Sequence, residues 1–538
     1  MNKANDSNQK TTKMKRTLKN ILGMAAVAAL SLPNSGCKDF LEVTPLDTRV
    51  ETNFFKSQSD VNEALVGVYD VLQWQTNAGG GGFSPDALLS DIASDDAFAG
   101  GGSRSDSPNM ISIDQQNILP TNTDLPVHWG NHFTGIYRAN QLLKRLPATA
   151  ASDEFKKSVT AQVKFLRAYF YLDLVRFYEN IPLLLEPLES GAGCVEQASP
   201  EAVYNQIATD LEEAIPDLPA KTLKDNDGRA TRWAAEALLA RTFLFYHGVY
   251  KKDLQAGSTA VNSQRALAHL TDLINNSAHD LLPNYADIFK KGFEFSKESV
   301  WEISFSDLNP WYDWGYIQGG EGNMQPLMQG PRIASDPNYS TGWSFAPVTQ
   351  ALVNAFEPND PRKAATIISQ EEDLTGKVTP GYQHTGYFSK KYTTSEEYAP
   401  TGGTYELNWG NNYRSIRFAD VLLMAAELEL MTGGSKAQTY LNRVRSRVGM
   451  PEKPATLPNI FQERRVELAL EGQRYWDLLR QGVSVAEQAI TIQNQRGPHY
   501  VGDQIDFNVK FNAARKGFFP IPQSELDQCR TLKQNAGY

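Results

Sequence analysis

Cysteine is scarce in this chain of 538 residues, with only Cys37, Cys194 and Cys529 present. Three cysteines exclude a disulfide-built scaffold and a thiolate metal centre. Cys194 and Cys529 are free to pair or to remain two thiols, and the sequence leaves both open. Positive charge is also in deficit: 52 Lys and Arg stand against 62 Asp and Glu, giving a net charge of −10. Nucleic-acid binding rests on basic side chains neutralising phosphates, and no basic stripe appears, so nucleic acid is not an expected partner. No apolar run reaches the roughly 20 residues that a membrane-spanning helix needs. The chain carries no Walker phosphate loop, dinucleotide fingerprint or GxSxG nucleophile elbow, and no cofactor is expected.

What the chain does have begins at its N-terminus. Lys13, Lys15, Arg16 and Lys19 precede the apolar run 21–32, which ends in Pro33, Asn34, Ser35 and Gly36. A basic head, a short greasy stretch and small residues are the order of a cleaved secretory signal. Ser35 and Gly36 directly before Cys37 resemble a bacterial lipobox, in which the cysteine thiol is acylated and becomes the new N-terminus. Asn34 departs from that motif, where an aliphatic residue is usual, and plain secretion with an inert cysteine is the alternative. Residues 1–36 are therefore expected to be a removed leader, starting from Met1 or Met14, and 37–538 a large ectodomain lipidated at Cys37.

Along that ectodomain, Leu166, Phe170, Leu174 and Phe177 fall on one helical face, as do Val421, Ala425 and Leu428, then Leu441, Val444 and Val448. Ala234, Ala235, Ala237 and Ala240 between Trp233 and Phe245 are small enough for a neighbouring helix to approach closely. Periodicity thus predicts a mainly α protein, with any helix-pair repeats degenerate because no fixed period is legible. Minor β is expected where Trp301, Ile303 and Phe305 alternate with polar residues, reading as a half-buried strand. Residues 76–127 and 306–345 are rich in Gly, Pro, Asn and Ser and read as long loops, which in a compact protein are usually functional. Nine Trp and 22 Tyr are present, many in Gly- and Asn-rich stretches outside any periodic pattern, where a core role does not account for them.

Several blocks resemble the SusD/RagB family of outer-membrane nutrient-binding lipoproteins. They are "CKDFLEVTP" from Cys37, "FLRAYFYLDLVRFYENIPLL" (165–184), "GWSFAPVTQALVNAFEPNDPRK" (342–363), "RFADVLLMAAELEL" (417–430), "YLNRVRSRVGM" (440–450), "ERRVELALEGQRYWDLLR" (463–480) and the closing "FPIPQSELDQC" with "LKQNAGY". The resemblance covers nearly the whole mature chain, as an N-terminal part 37–220 and a C-terminal part from about 221 to 538. It implies four degenerate tetratricopeptide-like helix pairs, a loop-rich ligand-binding part, and no enzymatic activity. It also implies a lipid-anchored position on the outer membrane facing outward, a SusC-like TonB-dependent transporter as partner, and a glycan ligand. Capture of peptide is the alternative within the same family, and a surface glycoside hydrolase is the alternative outside it.

The charged residues of these blocks have a structural reading. Glu463, Glu467 and Glu471 recur every four residues, where like charges on one helix face repel and call for cations opposite. Arg443 and Arg447, one helix upstream, are the expected partners of an ion ladder. Used instead as a glycosidase acid and nucleophile, such glutamates would need to oppose each other across a sugar, which consecutive turns of one helix do not provide.

Sugars present flat CH faces and many hydroxyls, so a site for them wants aromatic platforms flanked by polar groups. "NPWYDWGYIQGGEGN" (309–323) supplies Trp311, Tyr312, Trp314 and Tyr316. "GGGGFSPDALLSDIASDDAFAGGG" (79–102) offers Phe98 as a platform and Asp96 as its polar partner, with turn and helix capping the other reading of Asp91, Asp95 and Asp96. His128 and His132 stand four apart, but no HExxH pattern or third ligand accompanies them, so an ordinary polar role and no metal are expected. "DNDG" (225–228) lacks the terminal Glu of an EF-hand loop and reads as a turn.

Overall fold

Several of the helices begin where the sequence supplies a side-chain oxygen to cap them. In a computed structural model describing residues 55–76, 85–188, 193–312 and 321–538, Ser152, Ser199, Thr231 and Asn262 each accept a backbone N–H of the first turn. Each such cap is worth about 1 kcal/mol. The principal helices are α1 (Gln58–Asp70), α2 (Asp86–Ile92), α3 (Leu125–Arg145), α4 (Asp153–Tyr178), α5 (Pro200–Ala214), α6 (Arg232–Tyr250), α7 (Ser263–Asn276), α8 (Phe418–Thr432), α9 (Ala437–Arg447), α10 (Leu457–Glu467) and α11 (Arg474–Gln481). Strands are short and pair two by two, among them β1 (Ser299–Ile303) against β2 (Tyr413–Arg417) in antiparallel register. The mainly α expectation holds. No helix among the described residues is long and apolar enough to cross a membrane.

Successive helices from α3 to α7 pack each against the next, α7 then packs on α8, and α8 on α9. This is helix-pair stacking, with each pair burying the apolar side that it cannot bury alone. In α4 the predicted face is only part of the story, because every residue from Phe165 to Tyr178 is buried. Ala234, Ala235, Ala237 and Ala240 of α6 are likewise fully buried, as are Val421, Ala425 and Leu428 of α8. Val448 lies just beyond the end of α9 and is half-buried. Residues 277–417 leave the helical stack between α7 and α8 and form an insertion of loops, short helices and strand pairs.

The alternating strand differs from its expectation. β1 is buried on both faces, because the polar position between Trp301 and Ile303 is Glu302, whose carboxylate is satisfied inside. It accepts the Ser299 hydroxyl, the Phe295 backbone N–H at 3.1 Å and Asn412 Nδ2 at 2.9 Å. Alternation of hydropathy reads as one wet face only when the polar side chain lacks such partners.

The glutamates called for cations, and cations are there. Glu467 meets Arg362 at 3.0 Å, Arg417 at 3.0 Å and Arg447 at 2.5 Å; Glu463 meets Arg362 at 2.5 Å and Arg445 at 2.6 Å. Glu471 binds Lys391 at 2.6 Å and Arg417 at 2.7 Å. Two details of the ladder are corrected. Glu471 lies past the end of α10, in the turn leading to α11, and Arg443 sits half-exposed on Asp280 at 2.7 Å. From α9 it is Arg445 and Arg447, in its last turn, that reach the α10 glutamates.

Candidate functional site

The insertion carries an open groove. Two adjoining hollows of about 420 and 680 Å³ share Ile333, Thr341 and Tyr405, and their walls come from 332–343, Thr379, Glu396 and Glu406. Trp343 and Tyr405, both half-buried, offer ring surface to the groove, and Arg332, Glu406, Ser340 and Thr341 add donors and acceptors.

Local backbone contacts fix these rings. Trp343 N–H donates to Leu327 O at 2.8 Å and Phe345 N–H to Met328 O at 2.7 Å, which binds the Trp343 ribbon to the short helix Gln325–Gln329. Gly342 is required there, since a Cβ would stand 2.4 Å from Gly330 O. The Tyr405 hydroxyl donates to Thr341 O at 3.0 Å, tying the two walls together, and burial pushes its phenol above the usual range so that it stays neutral. Burial raises the Asp336 carboxyl too, but the N–H groups of Asn338, Thr375 and Gly376 outweigh this and hold it below the ordinary value. Asp336 is thus an ionised turn-builder at the groove's edge.

Of the aromatic stretch predicted as a platform, Trp311 and Tyr312 are described, while Trp314 and Tyr316 lie outside the described residues, as does Cys37. Tyr312 is 76% exposed, and Trp311 is half-buried against Met324 and Leu407. Asn408 clamps Trp311 by accepting its N–H at 2.7 Å and donating to its carbonyl at 2.9 Å.

Phe98 and Asp96 are corrections. Phe98 is fully buried, edge-on to Phe507 with ring centroids 5.4 Å apart, and offers no face to a ligand. Asp96 is equally buried and accepts Arg465 Nη2 at 2.7 Å, while the neighbouring Asp95 holds Arg474 at 2.7 Å. Residues 93–100 of that segment are therefore a core strap, bridged to the groove ribbon through Ala97–Val348 and Gly100–Phe345. The histidine pair has a neighbour that the sequence did not reveal, Asp86, which reaches both rings.

Trp343, Tyr405 and Arg332 escaped sequence reasoning. The available signal was the one used for 309–323, an aromatic beside glycine or asparagine outside any period, and "TGWSF" and "GGTYELNWGNN" both carry it. A second hollow of about 410 Å³ lies beside α3, lined by Trp129, Phe133, Tyr137, Leu184 and Leu188. Its wall is largely apolar, which suits sugar hydroxyls poorly.

Comparisons with known proteins agree with this architecture. Residues 297–538 match the family described as SusD family, and residues 39–244 match the one described as starch-binding, associating with outer membrane. A laminarin-binding SusD-like protein of known structure is 34% identical, with 90% of this chain and all of that chain covered at a TM-score of 0.78. Surface glycan-binding protein A from Bacteroides thetaiotaomicron, solved in complex with laminarihexaose, is 30% identical over 89% of this chain and all of its own, also at 0.78. SusD-like protein P25 of Formosa agariphila is 26% identical over 83% of this chain and 87% of its own.

Proposed function

This chain belongs to the SusD family, and we propose that it is a glycan-binding protein of the outer membrane that captures oligo- or polysaccharide and hands it to a SusC-like TonB-dependent transporter. The observation that carries the reading is the groove on the insertion, where Trp343 and Tyr405 offer ring surface beside Arg332, Glu406 and Thr341. Rings cover the CH faces of a sugar, and the surrounding donors and acceptors select among its hydroxyls. Tyr312, standing out near the same region of the insertion, extends the aromatic surface available to a longer chain.

The mechanism is binding and transfer without bond cleavage. Glu463 and Glu467, the spaced glutamates that a hydrolase reading would use, are buried and held by arginines, so neither faces a sugar. Tethering through an acylated Cys37 would hold the groove near the transporter, and a tethered binder raises the local ligand concentration even when each contact is weak. The relatives that bind laminarin and laminarihexaose make a β-glucan the first ligand to try.

Native gels cast with laminarin, starch and other polysaccharides test the reading. Retardation by at least one glycan, lost in Trp343→Ala or Tyr405→Ala, is expected. Retardation that survives both substitutions would move the site elsewhere, and competition by a peptide mixture with no response to any glycan would replace glycan by peptide.

A further inference from the structure

Away from the groove, three side chains that are remote in sequence or only paired by spacing meet in the interior. His128 and His132 stand one turn apart on α3, and α2 sets Asp86 against both. Asp86 Oδ1 lies 3.2 Å from His128 Nε2, and Oδ2 lies 3.3 Å from His132 Nε2. Asp173 of α4 lies beside them, its Oδ2 3.7 Å from His132 Nε2. For ligand bonds of about 2.1 Å, the edge of a tetrahedron is about 3.4 Å. Each imidazole already stands at that distance from one oxygen of Asp86, and one donor atom each from Asp86, His128 and His132 lies within 4.8 Å of the others.

The surroundings fit the same role. His132 Nδ1 is 2.8 Å from the His128 carbonyl oxygen, an acceptor that fixes the proton on Nδ1 and leaves the Nε2 lone pair toward the carboxylates. Arg176 holds Asp173 through Oδ1 and so aims Oδ2 at His132. Asp173 Oδ2, Asp86 Oδ1 and His128 Nε2 are buried atoms that make no hydrogen bond of acceptable geometry. Asp86 Oδ1 and His128 Nε2 face each other at 3.2 Å out of hydrogen-bond alignment, and buried polar atoms are nearly always satisfied, so this pair with Asp173 Oδ2 close by leaves room for a shared partner. A cavity of about 20 Å³ abuts Asp86 and Asp173, room for one water beside an ion.

We propose that Asp86, His128 and His132 bind one divalent first-row transition-metal ion such as zinc, with Asp173, now 3.7 Å from His132, drawn in as a fourth donor. Two imidazoles disfavour calcium and magnesium, which take oxygen ligands. The side chains of His128, His132 and Asp173 are 1%, 11% and 3% exposed and that of Asp86 30%, so the site is largely buried, which suits a structural role. Its effect is to pin α2, and with it the strap 93–100, to α3 and α4.

The test uses the purified protein stripped with a chelator and titrated with Co²⁺, then Zn²⁺. One equivalent of Co²⁺ should bind with the strong visible absorption of a four-coordinate ion, Zn²⁺ should displace it, and the melting temperature should rise on loading. His128→Gln and Asp86→Asn should each weaken Zn²⁺ binding by at least about 100-fold, and Asp173→Asn by about 10–100-fold. Asp86 has a 30% exposed side chain, so its variant serves if the His128 variant does not fold. Absence of stoichiometric binding, or binding that survives Asp86→Asn and His128→Gln alike, would overturn the proposal and leave the four groups an ion-pair cluster only.

Discussion

Replacing Glu467 by Gln keeps the side chain's shape while removing its charge, and the structure fixes what that leaves behind. Arg362, Arg417 and Arg447 each lose an anionic partner at 2.5–3.0 Å, with all four side chains no more than 3% exposed. Breaking one partner out of a buried ion network costs about 3–5 kcal/mol, chiefly as uncompensated buried charge. Residues 55–538 form one compact unit. Unfolding about 480 residues together carries an entropy near 1 kcal/mol per degree, so the variant should melt about 3–5 °C lower in calorimetry. Lys453→Ala is the control. It removes a partner of Glu357 at 2.9 Å where both side chains are about a third exposed, a pair worth about 0–1 kcal/mol. The same network sets an acid limb. Burial raises the Glu467 carboxyl, but Arg447, Arg417 and Arg362 outweigh it and hold the group well below the ordinary value. Its contribution is therefore fully present above the unfolded value near 4.3 and fades as pH falls toward the folded one. The native protein should lose melting temperature more steeply than Glu467→Gln below about pH 4.5. Equal melting of native, Glu467→Gln and Lys453→Ala at pH 7 would refute the reasoning outright.

Three further outcomes follow from the geometry. Trp343→Ala should abolish retardation by the bound glycan while leaving the melting temperature within about 2 °C, since the ring is half-buried; a folded variant with native glycan affinity would remove Trp343 from the site. Phe98→Ala should cost about 3–5 kcal/mol in stability as a cavity in the core, with the glycan affinity of the folded fraction unchanged; weakened binding at native stability would return Phe98 to the ligand surface. His269 is depressed by burial, but hydrogen bonds to Glu212 and Glu236 outweigh this and raise it to about 9. Its stabilisation is whole below pH 6.5 and lost as pH rises through 9, about 3 kcal/mol in all, so native melting should fall between pH 7 and pH 9.5 and fall less in His269→Gln. Parallel curves would show that His269 contributes no proton linkage.

How much of this was legible depended on distance along the chain. The apolar period made α4 and α8 readable, because helix signals lie within a few residues of one another. The need of Glu463 and Glu467 for cations was equally local. Their main partner Arg362 was not, since it stands 101 and 105 positions away and no pattern links it to α10. Asp95 and Asp96 failed for the same reason: their arginines are 379 and 369 positions distant, so a glycine-bracketed acidic run looked like a solvated loop. Trp343 and Tyr405 carried the right local chemistry, but only the folded insertion shows that they share one groove.

The position of the ion network explains how an irregular, loop-built groove sits on a regular scaffold. Glu298, Asp360, Arg362, Lys391 and Arg417 all come from the insertion, and they meet Glu463, Glu467, Glu471 and Arg447 of the helical part. The network is thus the seam between the groove-bearing insertion and the stack. Apolar packing tolerates small slips, whereas multiple charge-assisted hydrogen bonds at 2.5–3.0 Å hold only in one register. Groove residues such as Trp343 can then differ among relatives at little cost to folding, because nothing in the seam depends on them. The converse is that a seam substitution should lower stability and glycan affinity together, whereas a groove substitution should lower affinity alone. Measuring both quantities in Arg362→Gln and Tyr405→Ala separates the two classes. A seam variant that keeps native affinity at the temperature where it is folded would show that the groove holds its shape without the buried charges.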